Sequence, residues 1–233
     1  MMSNSGRSRM LADNLSLNTI PLRGMIRLSL KKGQTLFRED DPANSLFEIV
    51  SGSVKIYKLL PDGREQIVDV ATEGWVCGFS AGRRYDASCE ALVPTCAIAY
   101  SREALEKGLG DTRIRIEAQV ERQICALHGH VMSLGQGSAR ERVITFLARF
   151  LPGRSIKHCS SAGAARKNAT IHFPLSRGEI GQYLGLSSET ISRILTDLRS
   201  EGIISKGERT RDITVRDPCE LCRLSALGCD FVG

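Results

Sequence analysis

The amino-acid sequence predicts an α+β chain with three parts: an N-terminal antiparallel β-roll, a long helix, and a C-terminal winged helix-turn-helix. Three observations lead to this prediction. Short alternating strands separated by turn residues fill residues 25–100. An apolar repeat typical of paired helices follows in residues 112–134, and two short amphipathic segments joined by Gly185 occupy residues 175–199. Each of these patterns is a recognised signal for the corresponding element.

Strand patterns separated by turn signals dominate the first part of the chain. The predicted strands include Thr35–Phe37, Ser45–Val50, Ser53–Tyr57 and Gln66–Val70. Strands of this length at regular spacing favour a small antiparallel roll or barrel. Pro61-Asp62-Gly63 is a hairpin-turn sequence, because proline presets φ and glycine adopts positive φ at little cost. We expect a flexible lead over residues 1–20 and the roll over residues 21–111.

Residues 112–136 are predicted to form a dimerisation helix and hinge, with the helix and its apolar seam over residues 112–134 and the hinge beginning at Gly135. Most of its apolar side chains step by four, three, four and three, which is the seam of a two-stranded coiled coil. The predicted dimer interface consists of Ile116, Val120, Ile124, Leu127, Val131 and Leu134. The same pattern fits a helix that lies on its own domain. We favour the dimer because the seam is narrow and the opposite face is charged.

Residues 137–218 are predicted to form a winged helix-turn-helix domain. Gly185 allows a tight turn after Ile180 and Leu184, and Gly181 stands where a side chain would clash with the approaching backbone. Ser187 or Ser188 caps the second helix. Residues 202–205 and 212–215 flank a polar turn and predict a β-hairpin wing.

The outward face of the second helix carries groups that hydrogen-bond base edges. A carboxylate can accept from cytosine N4, and an arginine can pair with guanine O6 and N7. The wing places basic side chains where they can meet phosphates. The predicted DNA-binding residues are Arg177, Ser187, Ser188, Glu189, Ser192, Arg193, Arg199, Lys206 and Arg209.

Charge and composition agree with a double-stranded DNA partner. The net charge is +6, and residues 135–218 carry 14 basic against 8 acidic side chains, so the excess lies in the predicted DNA-binding domain. No apolar run reaches the roughly 20 residues that span a bilayer, and the N-terminus lacks a secretory signal. We therefore expect a cytoplasmic protein with no membrane partner. No nucleophile–base pair or nucleotide fingerprint is present, so an enzyme is not predicted.

The order of β-roll, long helix and winged helix resembles the CRP/FNR family of bacterial transcription regulators over about residues 25–216. The similarity is strongest in Gly33–Phe37, in Ile49–Val54 and in Glu189-Thr-Ile-Ser192-Arg193, which looks like the Glu-x-x-Ser-Arg pattern of the FNR and FixK branch. The resemblance implies a cyclic-nucleotide-binding-like roll and a homodimeric activator that contacts RNA polymerase. It implies control of oxygen- or redox-responsive genes through a palindrome close to TTGAT-N4-ATCAA. Glu189 and Arg193 would read the C·G pair of each half-site, and Ser192 would contact a thymine.

The loop over residues 78–88 departs from the cyclic-nucleotide receptors of this family. Phe79 replaces the ribose-binding glutamate, and Ala87 replaces the phosphate-binding arginine. We therefore do not expect cyclic AMP to bind. A regulator that responds to a cyclic nucleotide or another small ligand remains the alternative interpretation.

The chain has 8 cysteines, and three of them lie in a C-terminal tail over residues 219–233. None precedes Cys77, so the N-terminal cluster ligands of FNR are missing. Two thiolates two residues apart can chelate a metal ion. An iron–sulfur cluster or zinc held by Cys219, Cys222 and Cys229, with Cys96 as a further ligand, is one hypothesis. A redox-active dithiol and a tail without a cofactor are the other two.

Overall fold

The computed structural model describes residues 21–22, 25–107, 110–151, 168–208 and 211–225. The chain divides into two compact units, Met1–Gln119 and Val120–Gly233. The division falls within one long helix, α2 (Gly110–Gln136), which contains the helix predicted over residues 112–134 and continues through Gly135 and Gln136, where a hinge was predicted. Helix α2 therefore contributes its first turns to one unit and its remaining turns to the other.

The first unit is an antiparallel β-roll followed by a short helix. Its elements before α2 are β1 (Pro21–Leu22), β2 (Met25–Leu30), β3 (Thr35–Phe37), β4 (Ser45–Ser51), β5 (Ser53–Leu59), β6 (Glu65–Thr72), β7 (Val76–Cys77), β8 (Ser88–Ala91), β9 (Thr95–Ser101) and α1 (Arg102–Lys107). One sheet has the strand order β1-β2-β9-β4-β7, and the other has the order β3-β8-β5-β6. All of the pairings are antiparallel. The predicted β-roll is confirmed.

The core of the roll is formed by side chains from both sheets. Leu28, Ile49 and Val54 are among its buried members. Phe37 stacks on Tyr85 with ring centroids 4.2 Å apart. Alternation along each strand supplies this core, because every second side chain points to the same face of its sheet.

The hairpin between β5 and β6 forms at the predicted turn. Leu59 pairs with Glu65 at the end of the two strands. Gly63 has φ +82°, and the Leu60 N–H donates to the Arg64 carbonyl oxygen at 2.8 Å. The Pro-Asp-Gly sequence therefore turns the chain for the reason given above, since the glycine takes the left-handed conformation.

The first turns of α2 are tied to the roll by a charged cluster. Arg115 donates to Glu48 Oε1 at 2.5 Å and to Glu48 Oε2 at 3.0 Å. The Tyr100 hydroxyl donates to Glu48 Oε2 at 2.5 Å and accepts from Arg115 at 2.9 Å. Burial raises the pKa of Glu48, but the hydrogen bonds from Arg115 and Tyr100 outweigh it, so the net pKa is lowered. These contacts explain why the first compact unit extends past residue 111, where the roll was predicted to end.

The second unit combines the rest of α2 with four further helices and a small sheet. Its elements are α3 (Ala139–Arg149), β10 (Ala169–His172), α4 (Arg177–Leu184), α5 (Ser188–Ser200), β11 (Ile204–Lys206), β12 (Asp212–Val215) and α6 (Pro218–Arg223). The sheet has the order β10-β12-β11, with both pairs antiparallel. Helix α3 begins at a capping box made by Ser138 and Glu141. This arrangement confirms the winged helix-turn-helix.

Candidate nucleic-acid interface

The turn between α4 and α5 is built around two glycines. Gly185 has φ +64°, and its N–H donates to the Gly181 carbonyl oxygen. The Leu186 N–H donates to the same carbonyl at 3.0 Å. A Cβ on Gly181 would lie 2.4 Å from the Leu186 carbonyl oxygen, closer than real contacts allow. The predicted close approach at Gly181 is thus present, and the approaching backbone belongs to the turn.

Capping side chains define where both helices begin. Ser176 and Glu179 form a capping box at the start of α4, with the Ser176 N–H donating to the Glu179 carboxylate at 2.7 Å. Ser187 caps α5 by accepting from the Thr190 N–H at 3.1 Å. Of the two serines that the sequence offered as the cap, Ser187 takes this role. These caps satisfy backbone N–H groups that would otherwise lack partners.

One face of α5 is buried in the second unit, so the opposite face is exposed to solvent. Ile191, Ile194, Leu195 and Leu198 are all buried, as the periodicity predicts. The opposite face presents Ser188, Glu189 and Arg193 to solvent, with Ser192 half-buried among them. The helix therefore displays hydroxyl, carboxylate and guanidinium groups on one exposed surface.

Glu189 lies in the first turn of α5 as an ionised acceptor. Its own backbone N–H, with the hydroxyls of Ser187 and Ser188, holds the pKa of this carboxyl below its usual value. The Ser188 hydroxyl donates to Glu189 Oε1 at 3.1 Å. A carboxylate kept charged at neutral pH can accept a hydrogen bond from an amino group such as cytosine N4.

Ser192 connects the two helices of the motif. Arg177 Nη1, from the first turn of α4, donates to Ser192 Oγ at 2.9 Å. Ser192 Oγ in turn donates to the Ser188 carbonyl oxygen at 2.8 Å. Sequence reasoning had named both Arg177 and Ser192 as DNA contacts, but it had no signal that they would bind each other.

The wing is the hairpin formed by β11 and β12. Lys206 is exposed at the end of β11, and Arg211 is exposed just before β12. The Gly207 N–H donates to the Asp212 carbonyl oxygen at 2.9 Å, and a Cβ on Gly207 would lie 2.4 Å from the Asp212 Cβ. Arg199, in the last turn of α5, is half-buried. The predicted contact Arg209 lies outside the described residues.

A stack of two aromatic rings joins α4 to α2. The His130 ring of α2 lies flat on the Tyr183 ring, with centroids 4.1 Å apart and planes 7° apart. Arg149 of α3 donates to the Tyr183 hydroxyl at 2.5 Å. Through Tyr183, His130 thus joins three helices of the second unit, α2, α3 and α4, and no local pattern could have predicted that pairing.

The predicted dimer residues of α2 differ in their exposure. Ile124, Leu127 and Val131 are 47%, 49% and 60% exposed. Val120 and Leu134 are half-buried. Ile116 is only 4% exposed, so its side chain is already covered within its own chain. An interface through this helix would therefore centre on Ile124, Leu127 and Val131.

The loop over residues 78–88 contains the two positions on which the expectation about cyclic AMP depends. Phe79 is 38% exposed, and Ala87 is buried. Tyr85 is packed against the aromatic core, and its hydroxyl donates to the Ser45 carbonyl oxygen at 2.9 Å. Burial raises the pKa of Tyr85 to about 12. Through the side chain of Tyr85, this loop contributes to the hydrophobic core of the roll.

The predicted cysteine ligands are not gathered by the part of the chain that the structure describes. There, no group of three or more His, Cys, Asp or Glu side chains could hold a metal ion. Cys222 is 1% exposed within α6, which packs on α3, and Cys229 lies outside the described residues. Cys96 belongs to the other unit, where its Sγ accepts from Arg27 Nε at 3.0 Å. Among the described residues, Cys222 is placed as a small buried side chain where α6 packs on α3, whereas Cys219 is half-buried.

No helix within the described ranges is both long and apolar enough to cross a membrane.

Comparisons with known proteins agree with this architecture. Residues 27–111 match the model of the cyclic nucleotide-binding domain, and residues 141–224 match the model of the Crp-like helix-turn-helix domain. The transcriptional activator protein Anr of Pseudomonas aeruginosa is 33% identical over 217 residues, which cover 90% of this chain and 83% of that protein. The nitrogen fixation regulation protein FixK of Bradyrhizobium diazoefficiens is 32% identical over 182 residues, covering 77% of this chain and 74% of that protein. The solved structure of FixK2 from Bradyrhizobium japonicum has a TM-score of 0.71 and 31% identity, covering 90% of this chain and 98% of that one.

Proposed function

Because this chain belongs to the CRP/FNR family of DNA-binding transcription regulators, we propose that it is an activator that binds the palindrome TTGAT-N4-ATCAA as a homodimer. The family consists of regulators and not of enzymes, as the sequence predicted. A regulator of this kind acts in the cytoplasm, where it contacts DNA and RNA polymerase.

The outward face of α5 is the observation that carries this proposal. Glu189 and Arg193 are both exposed and four residues apart, so they lie one turn from each other on the same helix face. An ionised carboxylate suits cytosine N4, and a guanidinium suits guanine O6 and N7. Together they can recognise one G·C pair from both of its bases, and TTGAT contains a single such pair. The positive charge of the wing, from Lys206 and Arg211, suits the flanking phosphates.

The apolar side chains that α2 leaves in solvent support the proposed dimer. Ile124, Leu127 and Val131 are separated by three and four residues and are about half exposed or more. Pairing two such seams would remove this apolar surface from water, which is favourable. Two recognition helices related by a two-fold axis would then meet the two halves of a palindrome, whose major grooves repeat about every 34 Å.

Helix α2 offers a route by which the roll could control DNA binding. Its start is held to the roll by Glu48 and Tyr100 through Arg115, and its later part is held to α4 by the stack of His130 on Tyr183. A change in the roll that moves the start of this helix would alter how two copies of it cross, and hence the separation of the recognition helices. We propose that oxygen or redox state supplies the signal.

DNA binding under two atmospheres tests the proposal. The protein is purified without oxygen, and its affinity for the TTGAT-N4-ATCAA duplex is measured before and after exposure to air at fixed salt. We expect two chains per duplex and at least a hundredfold preference over a scrambled duplex. Iron, sulfide and zinc are measured on the same samples. A single chain per duplex, or equal affinity for both duplexes, would refute the proposed target.

Comparing the two atmospheres distinguishes a regulator that senses oxygen itself from one whose DNA binding does not depend on oxygen. Loss of binding in air would indicate redox sensing by the protein itself. Equal binding in both would show that this regulator is not directly switched by oxygen, which would overturn the proposed signal and leave the proposed DNA target intact.

A further inference from the structure

Two cysteines stand on either side of the loop over residues 78–88. Cys77 is the last residue of β7, and Cys89 is the second residue of β8. Strand β7 belongs to the five-stranded sheet and β8 to the four-stranded sheet. The loop therefore runs from a cysteine of one sheet to a cysteine of the other.

Strand pairing directs both cysteine side chains into the same part of the core. Cys77 lies opposite Phe47, and Cys89 lies opposite Phe37, each in an antiparallel pair. Residues opposite each other in such a pair have their side chains on the same face of the sheet. The rings of Phe37 and Phe47 stack with centroids 5.4 Å apart, so the thiols beside them meet between the two sheets.

The two thiols are in contact and almost completely buried. A hydrogen bond joins the Cys77 and Cys89 side chains. Cys77 is 1% exposed and Cys89 is 0% exposed, and neither takes part in a disulfide in the structure. Burial, together with the hydrogen bond to Cys77, raises the pKa of the Cys89 thiol well above its usual value. Cys89 is therefore a protonated thiol at neutral pH.

Cys77 also lies close to the contacts that hold the helices after the roll. Strand β7 pairs with β4 at Glu48, whose carboxylate binds Arg115 of α2. Directly after Cys77, the Gly78 carbonyl oxygen accepts from Arg102, the first residue of α1, at 2.9 Å. A displacement of Cys77 therefore acts on both α1 and α2.

We propose that hydrogen peroxide converts Cys77 and Cys89 to a disulfide, and that this bond is the means by which redox state acts on the roll. The second part of this inference rests on the proposed function, since it requires redox control of DNA binding. A covalent bond holds two sulfurs closer together than a hydrogen bond does. Disulfide formation therefore draws β7 toward β8 and moves the strand that adjoins Glu48.

The reaction takes two steps and consumes one hydrogen peroxide. The sulfur of one thiol attacks a peroxide oxygen, the O–O bond breaks, and the thiol proton leaves with the departing oxygen as water, which gives a sulfenic acid. The sulfur of the other cysteine then attacks the sulfenic sulfur, the S–O bond breaks, and a second water takes up the remaining thiol proton. The two sulfurs together lose two electrons, which reduce the peroxide to water.

Burial determines which oxidant reaches the pair. Cysteines in apolar surroundings react slowly, so oxidation requires a reagent small enough to enter the core as the loop opens. Hydrogen peroxide is small and uncharged, whereas oxidised glutathione is a large charged disulfide. We expect peroxide to oxidise the pair in the folded protein and oxidised glutathione to leave it reduced.

Disulfide mapping tests the site. The full-length protein, reduced and held without oxygen, is treated with each oxidant, and the remaining thiols are blocked with N-ethylmaleimide. Trypsin cleaves within the loop at Arg83, and endoproteinase Glu-C cleaves after Glu90 and so separates Cys89 from Cys96. Mass spectrometry should find the peptides of Cys77 and Cys89 linked, with a mass lower by two hydrogens than their sum, until dithiothreitol separates them.

DNA titrations on the same samples test the consequence. Peroxide should weaken binding of the wild type to the palindrome by at least about fivefold, the lower end of ordinary allosteric couplings, and dithiothreitol should restore it. Cys77→Ala and Cys89→Ala should each bind like the reduced wild type and lose the response to peroxide. Cys219→Ala is the matched control, since it removes a half-buried cysteine outside the roll and should respond like the wild type. Circular dichroism verifies that each variant is folded.

Three results would each count against a different claim. If peroxide leaves Cys77 and Cys89 unlinked, the inference is wrong, whatever happens to DNA binding. If the disulfide forms and affinity does not change, the pair is an oxidation site but not the signal. If the wild type shows no preference for the palindrome, the proposed target is wrong. The mapping still decides whether the disulfide forms, and the fluorescence of Trp75, which packs against the same core, reports without DNA whether the roll changes.

Discussion

Replacing Gly181 by alanine tests how the helix-turn-helix is held together. The new Cβ would lie 2.4 Å from the Leu186 carbonyl oxygen, whereas carbon–oxygen contacts of this kind are about 3.4 Å, so the turn must shift by about 1 Å. Overpacking of a rigid contact costs about 1–3 kcal/mol. The shift also breaks or lengthens the 3.0 Å bond from the Leu186 N–H to the Gly181 carbonyl. Alanine recovers about 1 kcal/mol through its helix propensity.

We therefore expect Gly181→Ala to destabilise the second unit by about 2 kcal/mol, near the middle of the range for harmful substitutions. Because the turn sets the direction of α5, DNA affinity should fall even in the fraction that stays folded. Gly185→Ala is the control: its φ is +64°, but nothing lies within 4 Å of its added Cβ. It should cost about 1 kcal/mol from the left-handed conformation alone.

Urea unfolding followed by circular dichroism, with DNA titrations on the same preparations, measures both effects. Trp75 is the one tryptophan and packs against the core of the roll, so its fluorescence reports on the first unit as an internal control. Wild-type stability and affinity in Gly181→Ala, or a larger loss in Gly185→Ala, would show that the close approach does not determine the motif.

Three further predictions concern base reading, assembly and the start of α2. Arg193→Ala should cost about 1–3 kcal/mol of binding and relax the preference at the guanine; an unchanged preference in competition titrations would contradict its role. Ile124→Glu should give monomers in sedimentation experiments and abolish tight binding to the palindrome, because it puts a charge in the proposed seam; dimers that bind normally would place the interface elsewhere. Glu48→Gln should lower the stability of the roll by about 1–2 kcal/mol at neutral pH. The pKa of Glu48 is lowered on folding, so its contribution is present above the unfolded value and is lost as the pH falls through the folded one. Acid unfolding should therefore depend less on pH in the variant, and an unchanged pH profile would rule out this coupling to Arg115.

Local patterns were sufficient where the physical cause is local. Hairpin formation at Pro61-Asp62-Gly63 depends on the φ preferences of those residues, and the cap at Ser187 depends on the backbone N–H groups that follow it. The buried face of α5 follows from the spacing of its apolar residues, which the helix geometry converts directly into one face. These features needed no knowledge of the rest of the chain.

Such local patterns could not predict contacts between residues that are far apart in the sequence. The periodicity of α2 treated Ile116 and Ile124 alike, yet Ile116 is buried and Ile124 is exposed. The spacing of Cys219 and Cys222 did not reveal that Cys222 is buried in α6 while Cys219 is half-buried. A sequence pattern specifies which residues share a face of a helix. Tertiary packing determines whether each of them is buried or exposed to solvent.

The sequence by itself determined the architecture of this protein and its membership of a DNA-binding family, because strand alternation, the helical seam and the glycine turn are each encoded within short stretches. Only the tertiary structure brought Arg177 to Ser192 and placed His130 on Tyr183. It also joined Arg115 to Glu48. These pairs are separated by between 15 and 67 residues. Their meeting depends on how whole helices and strands pack, and that packing is a sum over many side chains which no single segment of the sequence contains.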